Sequence, residues 1–243
     1  MVRAVSALTL ALFLACHDAT DPPAGATPSE STTTPAVETS PATRIMPLGD
    51  SITQADADHD SYRRPLWKRL AASGARVDFV GSQRRHHRGE PPNTDFDIDH
   101  EGHWGWRVDE VLEHIDGWME DAQPDVVLIH LGTNDLFQRQ GVAGTLEELS
   151  ALVDALRASL PEVRIVMAQI IPTTTASTNK RIEALNTRLL SLAASKSIRL
   201  VDQFTDFDAF DLTYDGVHPN EFGEARMAER WLDSLLPLLD EIE

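Results

Sequence analysis

Four short polar segments carry residue types that could perform nucleophilic chemistry. Residues 49–51 read Gly-Asp-Ser, residues 132–135 read Gly-Thr-Asn-Asp, and residues 215–219 read Asp-Gly-Val-His-Pro. The fourth segment, residues 99–106, is rich in His, Trp and Gly. A serine hydroxyl is a weak nucleophile until a base takes its proton, and histidine is suited to that task near neutral pH. We therefore predict Ser51 as nucleophile, His218 as base and Asp215 as the carboxylate that orients the imidazole.

Attack by a serine on a carbonyl carbon produces an oxyanion, which needs hydrogen-bond donors already in place. Each such donor contributes about 3–4 kcal/mol to catalysis. The candidate donors are the backbone N–H groups of Ser51 and Gly105 and the side-chain amide of Asn134. We expect glycine at position 105 because a Cβ would prevent close approach of the backbone. Each segment alone is weak evidence for a catalytic site, since Asp-Ser pairs often cap helices and Asn-Asp pairs often form turns.

The elements that must position these segments follow an alternating pattern from residue 44 onward. Short apolar runs predict five strands, at residues 45–48, 77–80, 126–131, 164–168 and 198–201. Amphipathic stretches predict helices at residues 64–72, 108–119 and 182–192, one opened by a capping box at residues 145–148, and one from about residue 221. This alternation predicts one α/β domain with a parallel sheet covered on both faces. All four polar segments follow predicted strands, so we expect them on one rim of that sheet.

These segments together resemble the SGNH hydrolases, also called GDSL-type hydrolases, which are named for Ser, Gly, Asn and His in four blocks. The matching residues are Ser51, Gly105, Asn134 and His218, and Asp215 completes the triad. The resemblance extends from Arg44 to the last helix. It implies a flavodoxin-like three-layer α/β/α sandwich with a five-stranded parallel sheet. It also implies a serine esterase that works through an acyl-enzyme intermediate and needs no metal or other cofactor.

A narrower resemblance concerns residues 44–53 (RIMPLGDSIT), 77–82 (VDFVGS) and 99–103 (DHEGH). They are similar to carbohydrate esterase family three, which implies removal of O-acetyl groups from acetylxylan-type carbohydrates. That family often has a small residue, such as Ser, where this chain has Trp104, and an indole there would reshape the acyl or sugar subsite. Of Trp104 and Trp106, we expect Trp104 to be exposed for sugar stacking. A broader lipase or arylesterase, and a catalytically inactive surface glycan-binding protein, remain as alternatives.

Other polar residues near these segments are expected to be structural. Asp50 should anchor the turn before the nucleophile, with substrate contact as the alternative, and Asp135 should orient the loop of Asn134. A loop-scaffolding role is expected for three residues whose spacing also suggests a metal site: His100, Glu101 and His103.

Three further histidines and the start of the first helix are also expected to be structural. His86 and His87 lie among arginines and read as a solvated surface run. His130 ends a buried strand and reads as a core histidine with satisfied hydrogen bonds. Residues 62–65 (YRRP) should open the first helix, because proline is tolerated in a first turn.

Charge limits the possible partners. The chain has 243 residues, with 39 acidic and 21 basic side chains and a net charge of −18. Such a charge argues against nucleic acid and against anionic membranes bound through charge. A neutral partner, either an acetylated polysaccharide or a small ester, fits better; the alternative is that the charge only keeps an exported protein soluble.

The beginning of the chain predicts export. Residues 1–16 have the form of a signal peptide, with Arg3 before an apolar run that is too short to span a bilayer. Residues 14–16 resemble a bacterial lipobox that would lipidate Cys16, the one cysteine of the chain; the alternative is an ordinary secretory signal. Residues 17–43 predict a disordered Pro/Thr/Ser-rich linker, and residues 44–243 predict the hydrolase domain. We expect a cell-envelope lipoprotein that touches the membrane only through its lipid.

Overall fold

The computed structural model describes residues 41–138 and 140–242. The predicted signal peptide, Cys16 and nearly all of the predicted linker lie outside these residues. Within the described ranges, no helix is both long and apolar enough to cross a membrane.

A single parallel sheet forms the centre of the fold. The strands are β1 Thr43–Gly49, β2 Val77–Phe79, β3 Glu101–Gly102, β4 Val126–His130, β5 Arg164–Ala168 and β6 Arg199–Val201. Their order is β2-β1-β4-β5-β6, and β3 also pairs with β1. The predicted fold class is confirmed, but the sheet has six strands rather than five. The extra strand has only two residues and pairs with Leu48 and Gly49, beyond the stretch of β1 that pairs with β2.

Nine helices are present in the described residues. They are α1 Ser51–Gln54, α2 Arg63–Ala72, α3 Val108–Leu112, α4 Ile115–Ala122, α5 Thr133–Phe137, α6 Val142–Ser159, α7 Ala176–Lys196, α8 Ala209–Leu212 and α9 Glu221–Leu239. Three short helices, α1, α5 and α8, were not predicted. Each follows a strand end or a loop and has too few residues to show a helical period.

The helices cover the sheet on two sides, each with its own apolar core. Successive residues of β1 point to opposite sides, so Ile45 packs with α2 and α9 while Met46 packs with α3, α4, α6 and α7. The same alternation holds along β4, where all five residues are buried. Burial on both faces explains why these strands read as continuous apolar runs.

Two helix predictions were wrong in detail. The helix predicted over residues 108–119 is two helices, α3 and α4, separated at residues 113–114. The predicted capping box does not open a helix, because α6 begins four residues earlier, at Val142, with Gly141 as its N-cap. Thr145 is buried inside α6, and its hydroxyl donates to the Gly141 carbonyl at 3.3 Å. A threonine hydroxyl can bond the preceding turn as readily as it caps a helix.

A buried arginine fixes the segment that follows α1. Arg63, the first residue of α2, is fully buried. Its guanidinium donates to the carbonyls of Thr53, Gln54 and Ile98 at 2.8, 3.2 and 2.9 Å. Burial lowers the pKa of Arg63 to about 10, so it remains charged at neutral pH. One side chain thus ties α2 to the C-terminal end of α1 and to the loop before β3.

We predict that Arg63→Met destabilises the protein far more than Arg69→Met, a matched change on the exposed face of the same helix. The first variant leaves one buried and two partly buried carbonyls without their donor, which should lower the free energy of unfolding by about 3 kcal/mol. The second should change it by less than about 0.5 kcal/mol. Urea unfolding measures both, and equal effects would contradict this role of Arg63.

Candidate active site

The turn between β1 and α1 presents Ser51. A Cβ on Gly49 would lie 2.2 Å from Thr53 Oγ1 and 2.8 Å from the His130 carbonyl, so only glycine fits there. Asp50 is the N-cap of α1, and its Oδ1 accepts a hydrogen bond from the Ile52 N–H at 2.9 Å. Ser51 begins the helix and is 6% exposed. The turn therefore holds the serine in one orientation at the carboxyl end of β1.

The loop between α8 and α9 brings a histidine onto this serine. His218 Nε2 lies 2.9 Å from Ser51 Oγ, and His218 Nδ1 lies 2.7 Å from Asp215 Oδ2. Asp215 Oδ1 also accepts from the backbone N–H groups of Val217 and His218, at 2.9 and 2.8 Å. Partial burial opposes ionisation, but the hydrogen bonds from His218 outweigh it and lower the pKa of Asp215. The carboxylate is thus kept ionised beside the imidazole.

The proposed oxyanion donors lie on segments adjoining the same rim. Asn134 is in the first turn of α5, and its amide donates to the Trp106 carbonyl at 3.0 Å and, at 3.4 Å, to Asp50 Oδ2. Gly105 has φ +81°, and a Cβ there would meet no atom of the described residues within 4 Å. The backbone conformation at position 105 therefore favours glycine. The space around that position is open, and the expected close approach of its backbone to an oxyanion stays a prediction.

Two carboxyls are buried beneath the rim. Asp50 is fully buried, and desolvation, together with the nearby charge of Asp135, raises its pKa to about 7. Burial also raises the pKa of Asp135 to about 6, and its Oδ1 accepts from the Val108 N–H at 3.3 Å. Asp50 has no exposed surface with which to touch a substrate. Its geometry favours the anchoring role over the substrate contact considered from sequence.

The two tryptophans have different surroundings, but both are half-buried, so the prediction that Trp104 is the exposed one was wrong. Trp104 stacks on His218 with ring centroids 4.7 Å apart, and on His87 at 4.3 Å. Trp106 packs against the core and stacks on His103 at 4.2 Å. Trp104 is therefore the one that adjoins the serine and histidine.

Residues 100–103 serve as scaffolding in this geometry. His100 Nδ1 accepts from the Gly102 N–H at 3.0 Å, and His103 Nε2 lies 2.6 Å from Glu101 Oε1. Glu101 also accepts from the backbone and hydroxyl of Ser82, at 2.6 and 2.7 Å. In the described part of the chain, no three His, Cys, Asp or Glu side chains are grouped so as to hold a metal ion.

Two histidine predictions need correction. His86 is buried rather than solvated, because it lies 2.8 Å from the buried Arg63 guanidinium and 3.0 Å from the Asp56 carbonyl. Burial, followed by the charge of Arg63, lowers the pKa of His86 to about 4. His130 is buried as predicted, but neither ring nitrogen has a hydrogen-bond partner among the described residues. Desolvation lowers its pKa to about 4 as well, so the ring is neutral at pH 7.

Sequence reasoning missed three residues that support the rim. Gln54 Oε1 accepts from the Trp104 N–H at 2.8 Å and so fixes the loop that holds Gly105. Asp56 and Tyr214 join the loop after α1 to the loop of Asp215. The proximity of Tyr214 to Asp215 in the chain was the only signal available from sequence.

We predict that Asp50→Asn changes how the free energy of unfolding depends on pH. Between pH 4 and pH 7 the variant should lose less stability, or gain more, than the wild type. The pKa of Asp50 is about 7 in the folded chain against an ordinary value of 3.8, so the folded state holds more protons in this interval. The contribution of Asp50 to stability then falls as pH rises, by up to about 1.4 kcal/mol per pH unit. Urea unfolding at several pH values measures the slope, with exposed Asp233→Asn as control. An unchanged slope in Asp50→Asn would contradict the burial argument.

Comparison with known proteins places this fold and site in a family. Residues 48–226 match the GDSL-like lipase/acylhydrolase family. The chain is 30% identical over 219 residues to a multidomain esterase of Ruminococcus flavefaciens, covering 79% of this chain and 28% of that protein. The chain thus spans little more than a quarter of that relative's length.

Solved structures agree with this family match. A carbohydrate esterase family 3 structure from Talaromyces cellulolyticus superposes with a TM-score of 0.74 at 30% identity, covering 83% of this chain and 100% of that chain. A mutant acetyl esterase, solved with an acetate ion, gives a TM-score of 0.73 at 29% identity, with the same coverage of both chains. The resemblance predicted from sequence is confirmed: this chain belongs to the GDSL-like lipase/acylhydrolase family and carries an esterase domain of the SGNH type.

Proposed function

We propose that this protein removes O-acetyl groups from carbohydrate, with acetylxylan-type polysaccharide as the substrate class. The observation that carries the proposal is the chain of short contacts from Ser51 Oγ to His218 Nε2 at 2.9 Å and from His218 Nδ1 to Asp215 Oδ2 at 2.7 Å. The likeness to carbohydrate esterase family 3 at 30% identity supports carbohydrate as the leaving group.

In the proposed reaction, His218 Nε2 takes the proton of Ser51 as Oγ attacks the acetyl carbonyl carbon. The carbonyl oxygen becomes an oxyanion that accepts hydrogen bonds from the N–H groups of Ser51 and Gly105 and from the Asn134 amide, which exchanges its long bond to Asp50 Oδ2 for this one. The C–O bond to the sugar then breaks, and the imidazolium gives its proton to the departing sugar oxygen. Asp215 stabilises the imidazolium in both steps.

A water molecule completes the cycle by the same route in reverse. His218 takes a proton from the water, whose oxygen attacks the acetyl-serine ester. The second tetrahedral oxyanion collapses to acetic acid as the imidazolium returns its proton to Ser51 Oγ, and the acid then ionises to acetate in solution. The reactants of each step are groups of this chain, the ester and water.

The space beside the serine supports a short acyl group. A narrow cavity adjoins Ser51 and His218 and is lined by Ile52, Ala55 and Pro219 among others. It has room for about one water-sized group, and a methyl group is of similar size. The acetyl esterase relative, solved with an acetate ion, agrees with this size. A longer acyl chain would have to displace the walls of the cavity or lie outside it.

The two alternatives differ from this proposal in measurable ways. A broader lipase or arylesterase would accept longer acyl chains, which the small cavity disfavours. A catalytically inactive glycan-binding protein would not need a serine within hydrogen-bond distance of a histidine that is itself bonded to a carboxylate.

We predict that the protein releases acetate from acetylated xylan and that activity on 4-nitrophenyl esters falls steeply from acetate to butyrate. The fall should be at least about tenfold, because the loss of cavity fit for two added methylenes costs more than about 1.4 kcal/mol. Acetate assays and nitrophenol absorbance measure the two activities. Ser51→Ala gives the background, and Ser191→Ala, an exposed serine on α7, is the matched control.

Activity that peaks at butyrate or beyond would contradict the deacetylase proposal and favour the broader esterase. Release of acetate from other acetylated glycans but not from xylan would contradict the xylan assignment alone.

A further inference from the structure

We propose that Tyr214 is a positioning residue for His218 and that Asp56 holds Tyr214 in place. The proposal rests on the function proposed above, in which His218 is the base. It concerns the side of His218 that faces the loop following α1.

The phenol ring of Tyr214 lies almost parallel to the imidazole of His218. Their centroids are 5.7 Å apart and their planes differ by 16°. The Tyr214 N–H also donates to the His218 carbonyl at 3.0 Å, so ring and backbone both contact the histidine. His59 stacks on the same tyrosine ring at 3.9 Å and 8°. Because Tyr214 is 39% exposed, burial in the core does not account for its position.

Asp56 is the anchor for this stack. Its Oδ2 accepts from the Tyr214 hydroxyl at 2.9 Å, and its Oδ1 lies 2.7 Å from His59 Nδ1. Burial and the bond to Asp56 raise the pKa of Tyr214, so its hydroxyl remains a donor. Partial burial opposes ionisation of Asp56, but hydrogen bonds from His59 and other donors lower its pKa, so it remains an acceptor. The contact is therefore kept across the working pH range of a serine esterase.

The loop that carries Asp56 is itself fixed to the nucleophile. The Ala55 N–H donates to the Ser51 carbonyl at 2.8 Å, and the His87 N–H donates to the Ala55 carbonyl at 2.9 Å. The anchor therefore starts from the same backbone that presents the serine.

Two side-chain hydrogen bonds join residues 51–61 to residues 213–219. One is the contact between Ser51 and His218, and the other is the contact between Asp56 and Tyr214. The first must break during acylation, when the imidazolium turns its proton toward the leaving oxygen, and it forms again in deacylation, when the proton returns to Ser51 Oγ. The second takes no part in proton transfer and can keep the two loops at a fixed separation meanwhile. Small displacements of a catalytic group are costly in rate, so such a tie has kinetic consequences.

The test is Tyr214→Phe, which keeps the ring and removes the donor. We expect kcat on 4-nitrophenyl acetate to fall about tenfold with KM unchanged, because His218 acts in acylation and deacylation alike and both steps slow together. Asp56→Ala should give the same loss. The double variant should be no slower than either single variant, since both remove one contact.

Two further variants separate positioning from general damage. Asp56→Asn keeps an oxygen that can accept from Tyr214 and should recover most of the activity lost in Asp56→Ala. Asp154→Ala removes a surface carboxylate bonded to Lys196 and should leave kcat unchanged. Thermal unfolding of each variant shows whether it is folded at the assay temperature.

Wild-type kcat in Tyr214→Phe would overturn the proposal, as would a raised KM at unchanged kcat, additive losses in the double variant, or no recovery in Asp56→Asn. A loss of kcat that only follows the unfolded fraction would overturn it as well. Failure of the proposed function would be distinct, because Ser51→Ala would then retain turnover whatever the Tyr214 variants do.

Discussion

Strands β1 and β4 run side by side in parallel, and they end at the same level because Gly49 pairs with His130. The chain therefore leaves both strands at one edge, where Ser51 and Asn134 follow within a few residues. The Asn134 amide reaches Asp50 Oδ2 at 3.4 Å, although the two residues are 84 positions apart. The short strand β3 pairs with the end of β1 and brings the loop of Gly105 to the same edge. The nucleophile and the proposed oxyanion donors therefore depend on this alignment, and the loop of His218 must meet them there.

Keeping that edge rigid requires polar groups inside the protein. Asp50 and Arg63 are both fully buried, and burying a charged group is unfavourable unless hydrogen bonds compensate for it. Arg63 obtains that compensation from three backbone carbonyls, whereas Asp50 is compensated only partly and has its pKa raised to about 7. The protein thus gives up some stability for a turn that holds the nucleophile before the substrate arrives. Preorganisation of this kind is a main source of rate in acyl transfer.

Much of the fold could be predicted from sequence because parallel strands are apolar on both faces. Apolar runs such as residues 126–131 are therefore easy to recognise as strands. Ligand sites lie at the carboxyl ends of parallel strands, and this rule predicted that Ser51, Asn134 and His218 lie close together. The burial of His86 could not be predicted, since it depends on Arg63, which is 23 positions away in the chain. The contact between Asp56 and Tyr214 spans 158 positions and involves residues with no periodic signal. The helix start predicted from the capping-box sequence at residues 145–148 was wrong because the same residues are compatible with a helix interior.

The most direct test of the account is whether Ser51 is the nucleophile. A fluorophosphonate reacts covalently with a serine that a neighbouring base activates, and mass spectrometry of the intact and digested protein counts and locates the adduct. The account predicts one adduct on wild-type protein, located at Ser51, none on Ser51→Ala, and strongly slowed labelling of His218→Ala. Equal labelling of Ser51→Ala, or an adduct at a different serine of the wild-type protein, would contradict it.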